Sequence, residues 1–530
     1  MKSVIRKFLS LMIICSMTFV SLGIAAFAGP VNAASKPVLS KKTVSVKKGH
    51  STTIKLKNAR KKVVWKSSNS KIVKIIKKKG KYRSVVVVKG LKKGTTYITA
   101  KYGKKSYRCK VKVTYTKPTP VPVPEPEPEE TIEILPLSGS SEDLTATHTR
   151  SPAGNSNVDE TFCGAATDFS VDLFKRVSEA ETAAGRNGSI MVSPDSVETA
   201  LAMLETGAAG DTLGEMEAVL GGGMNREAFC SYLAGMNDRL EGSDKIIFQQ
   251  SNSIWAKEEI MNVRDSFLQQ NKDYFDSEFY VAPFNGETVS DMNNWVYNNT
   301  RNMIRQVIDQ LHEDDRMVLI NTTVFEGKWE VPFEDGNVKS GTFTNAAGAA
   351  ENASMLHELG SLNYFKLNGA DCFERRYKGG EISFVGILPS NDTSVDDFIQ
   401  GMSGSDLRSA WKNRKREYVK LTMPEFKYDY GTDLETILQD MGVKKAFSDV
   451  ADFSAMGEPS VMVDRVIHKT HIELDRKGTK AAAATAVVAK ESSMHIESPI
   501  EIRMDRPFVY ALVDNTTGIP LFIGTLKTLN

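Results

Sequence analysis

Cysteine is scarce in this chain, with five residues in 530. Cys15 lies inside an apolar N-terminal stretch, and Cys109, Cys163, Cys230 and Cys372 are dispersed over the rest, which is no disulfide framework. A chain this long can bury a core without staples, so buried free thiols are expected and any single pairing is left open. Signatures of conventional catalysis are also missing. No G-x-S-x-G elbow, H-E-x-x-H helix or G-x-x-x-x-G-K-[ST] loop occurs, which removes the nucleophile, the zinc site and the phosphate cradle those patterns supply. The seven histidines are scattered. Of the one close pair, His468 and His471, a strand would send the rings to opposite faces, so neither a metal centre nor a cofactor is expected.

What remains is a soluble, globular balance, 41% hydrophobic and 25% charged, over a length that calls for more than one folded unit. Residues 1–33 read as a secretory signal peptide: Lys2, Arg6 and Lys7, an apolar run from Phe8 to Phe27, then small-x-small sites ending at Ala28 and Ala33. A secreted or extracellular protein is expected, with cell-wall association open. Residues 36–115 are rich in lysine and carry short alternating runs (TVSV, TIKLK, VVVVK, RCKVKV) separated by K-K-G turns, the pattern of a small all-β sandwich. Its landmarks, Lys48-Gly49, Val64 to Asn69, Gly94-Thr95 and Ile98 to Lys101, resemble the bacterial Ig-like domains of group 2. The lysines suit either a solvated sandwich surface or an anionic cell-wall polymer; nucleic acid is not expected, because no aromatic platform accompanies them. Residues 116–158 read as linker: Pro alternates with Thr, Val and Glu from Lys117 to Glu130, an extended spacer, and polar residues then dominate from Ser138 to Asn157.

From Asp159 to Asn530 the signals are those of an α+β domain. Phe162 to Lys175 is amphipathic at helical spacing, and Ser193-Pro194 is a helix start ahead of Val197, Ala200, Leu201 and Leu204. The most distinctive segment is Glu473 to Ala489, ELDRKGTKAAAATAVVA, in which small residues dominate and no proline occurs between Gly478 and Ser498. Alanine alone would favour a helix. If extended, Thr479, Ala481, Ala483, Thr485 and Val487 share one face that could enter a core, while Lys480, Ala482, Ala484, Ala486 and Val488 share the other.

Its flanks, VIHKTHIELD before and IEIRMDRPFVYALVDNTTGIPLFIGTL after, resemble the hinge and C-terminal signature of the serpins, a family of protease inhibitors. The resemblance extends across 159–530: Ser193 to Ser196 with Ala200 to Thr212, Asn321 to Phe333 (where Glu326 departs from the usual lysine), Leu421 to Tyr428, and Ala451 to Ser454. It implies three β-sheets surrounded by helices, with a mobile reactive loop. It also implies no enzyme activity. A serine or cysteine protease would be trapped as an acyl intermediate when the cleaved loop inserts into the main sheet. The hinge is then Gly478, Thr479, Lys480, Ala481, Ala482, Ala483, Ala484 and Thr485. Register places the bait bond at Ser492-Ser493, with Lys490, Glu491 and Met494 as rival specificity residues. Ser193, Ser196, Asn321 and His468 would form a polar gate beneath the sheet, and Trp329 would pack where the loop enters. Arg476 and Lys480 stand where inhibitory members usually carry glutamate; Lys480 is expected to face outward after insertion and Arg476 to find an acidic partner. The expected state is a monomer prone to loop-sheet polymerisation. The alternatives are a non-inhibitory serpin-fold binding protein and a wall-associated adhesin.

Overall fold

Strict alternation governs the first unit of the structure, a computed structural model that describes residues 35–114, 133–479 and 498–529. The chain divides into two compact units between Glu125 and Pro126. In the first, Thr43–Lys47 buries Val44 and Val46, Ser51–Lys57 buries Ile54 and Leu56, and Lys105–Thr114 buries Cys109, Val111 and Val113. Period two sends every second side chain inward. Two four-stranded sheets result. One runs Val38–Leu39, Ser51–Lys57, Val85–Gly90, Val73–Lys79, and the other Thr43–Lys47, Lys105–Thr114, Gly94–Tyr102, Val64–Ser67. Their inner faces share one core around Trp65, whose indole N–H donates to the Arg83 carbonyl at 2.8 Å. The expected signal peptide (1–33) lies outside the described residues, as does the proline-rich stretch.

The second unit is α+β. Helix α1 (Glu160–Ala183) starts where the Asp159 carboxylate caps the Phe162 N–H at 2.8 Å, and it runs two turns beyond the Phe162–Lys175 expected from sequence. Helix α2 (Pro194–Gly207) is buried on every side, so its apolar face is not its only buried face. It packs against a seven-stranded sheet. The strands of that sheet are β1 (Glu142–Asp143), β2 (Ile246–Lys257), β3 (Glu278–Ala282), β4 (Met317–Lys328), β5 (Phe426–Asp433), β6 (Arg465–Leu474) and β7 (Gly478–Thr479), in the order β5-β6-β7-β4-β2-β3-β1. Strands β4 and β6 also pair directly and in parallel, from Val318↔Arg465 to Thr322↔Lys469. Helix α3 (Gly286–Asn299), opened by an Asn285/Thr288 capping box, lies against β4.

A nine-stranded sheet supplies the rest of the core. Ile382–Leu388, Phe508–Asp514 and Pro520–Leu526 are buried at every position, the mark of strands covered on both faces. Its edge strand Ile500–Arg503 pairs in parallel with Lys415–Pro424. With the two-stranded pairing of Asn262–Val263 and Gly457–Glu458, the described residues of this unit form three sheets. Cys109, Cys163, Cys230 and Cys372 are buried and unpaired, and burial pushes the Cys163 thiol up to about 11.

The linker expected over 116–158 is corrected in its described part. Residues 133–158 do not hang free; they are docked on the second unit. Leu135 exchanges two 2.8 Å hydrogen bonds with the Asn298 amide. The buried Asp291 carboxylate accepts from the Ser138 N–H and from the Ser138 and Ser141 hydroxyls, each at 2.6 Å. Strand β1 then pairs antiparallel with β3. Farther along, Gly154 crosses Gly235 so closely that a Cβ on Gly154 would lie 2.4 Å from the Gly235 nitrogen. From Ser138 to Thr145 polar side chains serve specific partners, while Ser151 to Asn157 is exposed and held through its backbone.

Asp291→Ala should leave the Ser138 and Ser141 donors without their acceptor, at about 1–3 kcal/mol. The readout is limited proteolysis. Cleavage between Leu135 and Val158 should accelerate at temperatures where wild type resists, and an unchanged digestion pattern would show that the segment is held elsewhere.

Candidate functional site

The chain after β6 turns back tightly. The Asp475 carboxylate accepts from the N–H groups of Lys477 at 2.6 Å and Gly478 at 3.0 Å, and the Asp475 N–H closes the turn on the Gly478 carbonyl at 2.9 Å. Gly478 then enters the sheet so close to β4 that a Cβ there would sit 2.0 Å from the Gly327 oxygen. Only glycine fits. Thr479 follows, antiparallel both to β4, opposite Gly327, and to β6, opposite Leu474. It is 2% exposed, and its hydroxyl bonds the Tyr377 hydroxyl at 2.6 Å. The inward face expected for Thr479 is therefore the face it presents. Lys480, Ala481, Ala482, Ala483, Ala484 and Thr485 lie outside the described residues, as do Lys490, Glu491, Ser492, Ser493 and Met494.

A stacked platform receives this strand. Trp329, 1% exposed, lies flat on Tyr377 at 4.5 Å between centroids. Its indole N–H donates to the Asp475 carbonyl at 2.9 Å, and its backbone N–H donates to the Lys477 carbonyl at 2.8 Å. The Arg375 guanidinium covers the Trp329 ring at 4.7 Å and the Phe333 ring at 3.9 Å, and pairs with Glu358 at 3.0 Å. Trp329 thus packs at the mouth of the sheet and holds the turn by both of its N–H groups. Arg476 has an acidic partner, Asp335 at 3.2 Å, and Glu326 is matched by Arg301 at 3.0 Å. Tyr377, Arg375 and Asp475 were not singled out in the sequence. Asp475, two residues before a lysine and three before a glycine, carried a turn signal that could have found it; the other two are non-local.

Lower down, the four expected gate residues meet in two hydrogen-bonded groups. The Ser193 N–H donates to His468 Nε2 at 3.0 Å, while its hydroxyl donates to the Leu521 carbonyl at 2.8 Å. Ser193 sits at the N-cap of α2, where an N-cap serine is expected from Ser193-Pro194, yet its side chain does not cap the helix. The Ser196 hydroxyl donates to Asn321 Oδ1 and accepts from the Thr323 hydroxyl, and Asn321 Nδ2 donates to Asn252 Oδ1. Asn321 and His468 are cross-strand neighbours in the β4–β6 ladder, which joins the two groups. Asn252 and Thr323 complete a network that the sequence reading left short.

Burial controls the histidine. Because Nε2 accepts, the neutral ring carries its proton on Nδ1, and desolvation holds the ring's pKa down at about 4. In the unfolded chain it returns to about 6.5. Between these values the unfolded state binds the extra proton, so stability falls as pH drops from about 6.5 toward 4 and levels off below. The full effect is on the order of 3 kcal/mol. The thermal midpoint of wild type should fall more steeply over that window than that of His468→Asn; parallel curves would place the histidine's proton elsewhere.

Comparison with known proteins agrees with this geometry. Residues 164–528 match the family model described as Serpin (serine protease inhibitor). An uncharacterised serpin-like protein of Thermococcus kodakarensis is 30% identical over 366 residues, covering 68% of this chain and 83% of its own. The native-state crystal structure of the thermophilic serpin tengpin matches with a TM-score of 0.68 at 32% identity, over 74% of this chain and all of that one. Thyroxine-binding globulin in complex with thyroxine shares the fold at 22% identity and a TM-score of 0.62, over 69% of this chain and 99% of that one. The chain belongs to the serpin family, whose members are generally protease inhibitors and not enzymes.

Proposed function

We propose that this chain is a secreted or cell-surface suicide inhibitor of serine, and by the same chemistry cysteine, endopeptidases. One observation carries the reading: a two-residue strand, β7, already sits antiparallel between two strands whose own pairing is parallel and stops at Thr322 and Lys469. The target's nucleophile attacks a carbonyl in the bait segment, the peptide bond breaks, and the new amine leaves with the C-terminal piece. An acyl ester, or thioester, then ties the protease to the N-terminal side. Before water can hydrolyse it, the freed segment continues the path Thr479 has begun. One parallel ladder is replaced by two antiparallel ones, which pair more favourably per residue. About fourteen residues at roughly 3.3 Å each carry the protease on the order of 45 Å. The alternation Thr479, Ala481, Ala483, Thr485 supports the reading, since small side chains would enter the core.

The register again favours Ser492-Ser493 as the bait bond, with Lys490, Glu491 and Met494 as rivals. We assign the first unit to the bacterial Ig-like domains of group 2, on its two lysine-rich sheets, and give it the role of holding the inhibitor at an anionic wall polymer. Residues 1–33 would direct export. A second reading, a non-inhibitory member that binds a ligand, is kept open by the thyroxine-binding relative and by Arg476 and Lys480.

Incubation with a panel of serine and cysteine proteases decides between them. Inhibition gives an SDS-stable complex and, under denaturing mass spectrometry, one C-terminal peptide whose mass fixes the bond. Cleavage without a complex on every protease tested supports the second reading. Nicked protein should also melt well above the intact form; equal midpoints would exclude strand insertion.

Thr479→Arg should turn inhibitor into substrate, because the buried site against Tyr377 offers no partner for a charge. Cleavage should continue while covalent complexes are lost. Complexes at wild-type stoichiometry would refute the insertion register.

A further inference from the structure

Between Ser35 and Thr114 stand 27 lysines and arginines and no aspartate or glutamate; the first acidic residue of the chain is Glu125, and all 65 acidic residues lie from there onward. Across residues 35–114, its two sheets have no carboxylate of their own to set against their cations. Like charges meet as a result, as where Lys74 stands directly opposite Lys89 across neighbouring strands, a pairing that destabilises a sheet. Such a unit gains by gathering counter-charge from a polyanion.

The sheet of Thr43–Lys47, Lys105–Thr114, Gly94–Tyr102 and Val64–Ser67 shows where. Alternation sends Arg108, Lys110 and Lys112 to solvent in one row, at a step of roughly 6.6–6.8 Å. The next strand sets Thr99 opposite Arg108, Tyr97 opposite Lys110, and Lys101 opposite Ser106, and Lys66 lies opposite Thr99 beyond it. At that corner Lys66, Lys101, Ser67, Ser68, Thr99 and Ser106, with Val64 at the rim, line a depression of about 300 Å³. The Ser67 hydroxyl is committed to the Val73 carbonyl at 2.7 Å; two ammonium groups and the hydroxyls of Ser68, Thr99 and Ser106, without a carboxylate, form a donor set for phosphate.

The same face argues against other polyanions. Tyr97 is its one aromatic ring, and the Arg108 guanidinium already covers it at 4.8 Å, so no row of rings awaits stacked bases. Val64 is its one exposed aliphatic side chain, too little to enter a lipid layer. We propose that this face binds a base-free phosphodiester polymer, a polyol phosphate of the cell wall. One phosphate occupies the depression between Lys66 and Lys101, and its neighbours follow Arg108, Lys110 and Lys112. This deepens the wall-holding role given above and rests on it.

The test uses the full chain and poly(glycerol phosphate) as probe. Arg108→Glu/Lys110→Glu/Lys112→Glu is compared with Lys55→Glu/Lys77→Glu/Lys79→Glu, which carries the same charge change on the other sheet; glutamine versions serve if the glutamates disturb folding. Binding should weaken on the order of tenfold or more for the first set and far less for the second, and should fall steeply with salt. Equal losses overturn the face. Tighter binding to a single-stranded DNA of equal charge, or to anionic vesicles, overturns the ligand. Purified walls stripped of phosphate polymers separate the two levels. If stripped walls bind as well as intact ones, the phosphate proposal fails and wall-holding stands; if neither binds, wall-holding fails too.

Discussion

Everything distinctive in the second unit depends on the parallel ladder between Val318–Thr322 and Arg465–Lys469. Two strands that could be separated by a third are instead paired directly along their lower half, while above them a two-residue wedge has already entered. Parallel pairing is the weaker arrangement per residue. On the proposed insertion the sheet would exchange this ladder for a better one, and the barrier would lie in the contacts that have to part. Turn Asp475–Gly478 and the Trp329–Tyr377 stack fix where the wedge starts, because both N–H groups of Trp329 are committed to that turn.

Beneath the ladder, the linked groups of Ser193 with His468 and of Ser196, Asn321, Asn252 and Thr323 make closure polar rather than apolar. A greasy seam between strands would part only by exposing surface to water. Hydrogen bonds among small side chains can be exchanged one at a time as strands shift, provided each is replaced. Side chains that close the sheet thus need not block the opening that the proposed insertion requires. The buried imidazole is the costly member, since its Nδ1 lacks a partner among the described residues, and it ties closure to pH.

Much of this is legible in the sequence. The inward orientation expected for Thr479 is the one it has, Ser193-Pro194 marked the start of α2, and Ser193, Ser196, Asn321 and His468 lie together. What could not be read was non-local. Tyr377 meets the hinge across about a hundred residues of sequence, Arg375 reaches it through Trp329, and nothing in their own neighbourhood distinguishes them from core residues. The segment 133–158 was misread as tether because serine, threonine and asparagine look alike whether they face water or Asp291 and Asn298. Crossing glycines such as Gly154 and Gly235 are visible only as a pair. The SPxS helix start showed where α2 begins and hid that its serine hydroxyl serves the Leu521 carbonyl.

The segment absent from the described residues is anchored at both ends in different sheets: Thr479 in the seven-stranded one, Ile500–Arg503 at the edge of the nine-stranded one. Downstream of that edge, Phe508–Asp514 and Pro520–Leu526 are buried at every position, flanked by Ile382–Leu388 on one side and Met191–Val192 on the other. A backbone break between the anchors would therefore not shed the tail. It would turn one polypeptide into a tightly bound heterodimer, its smaller partner supplying three strands of the nine-stranded sheet, held by burial and by backbone ladders to the larger one, and separable only by dissolving the fold.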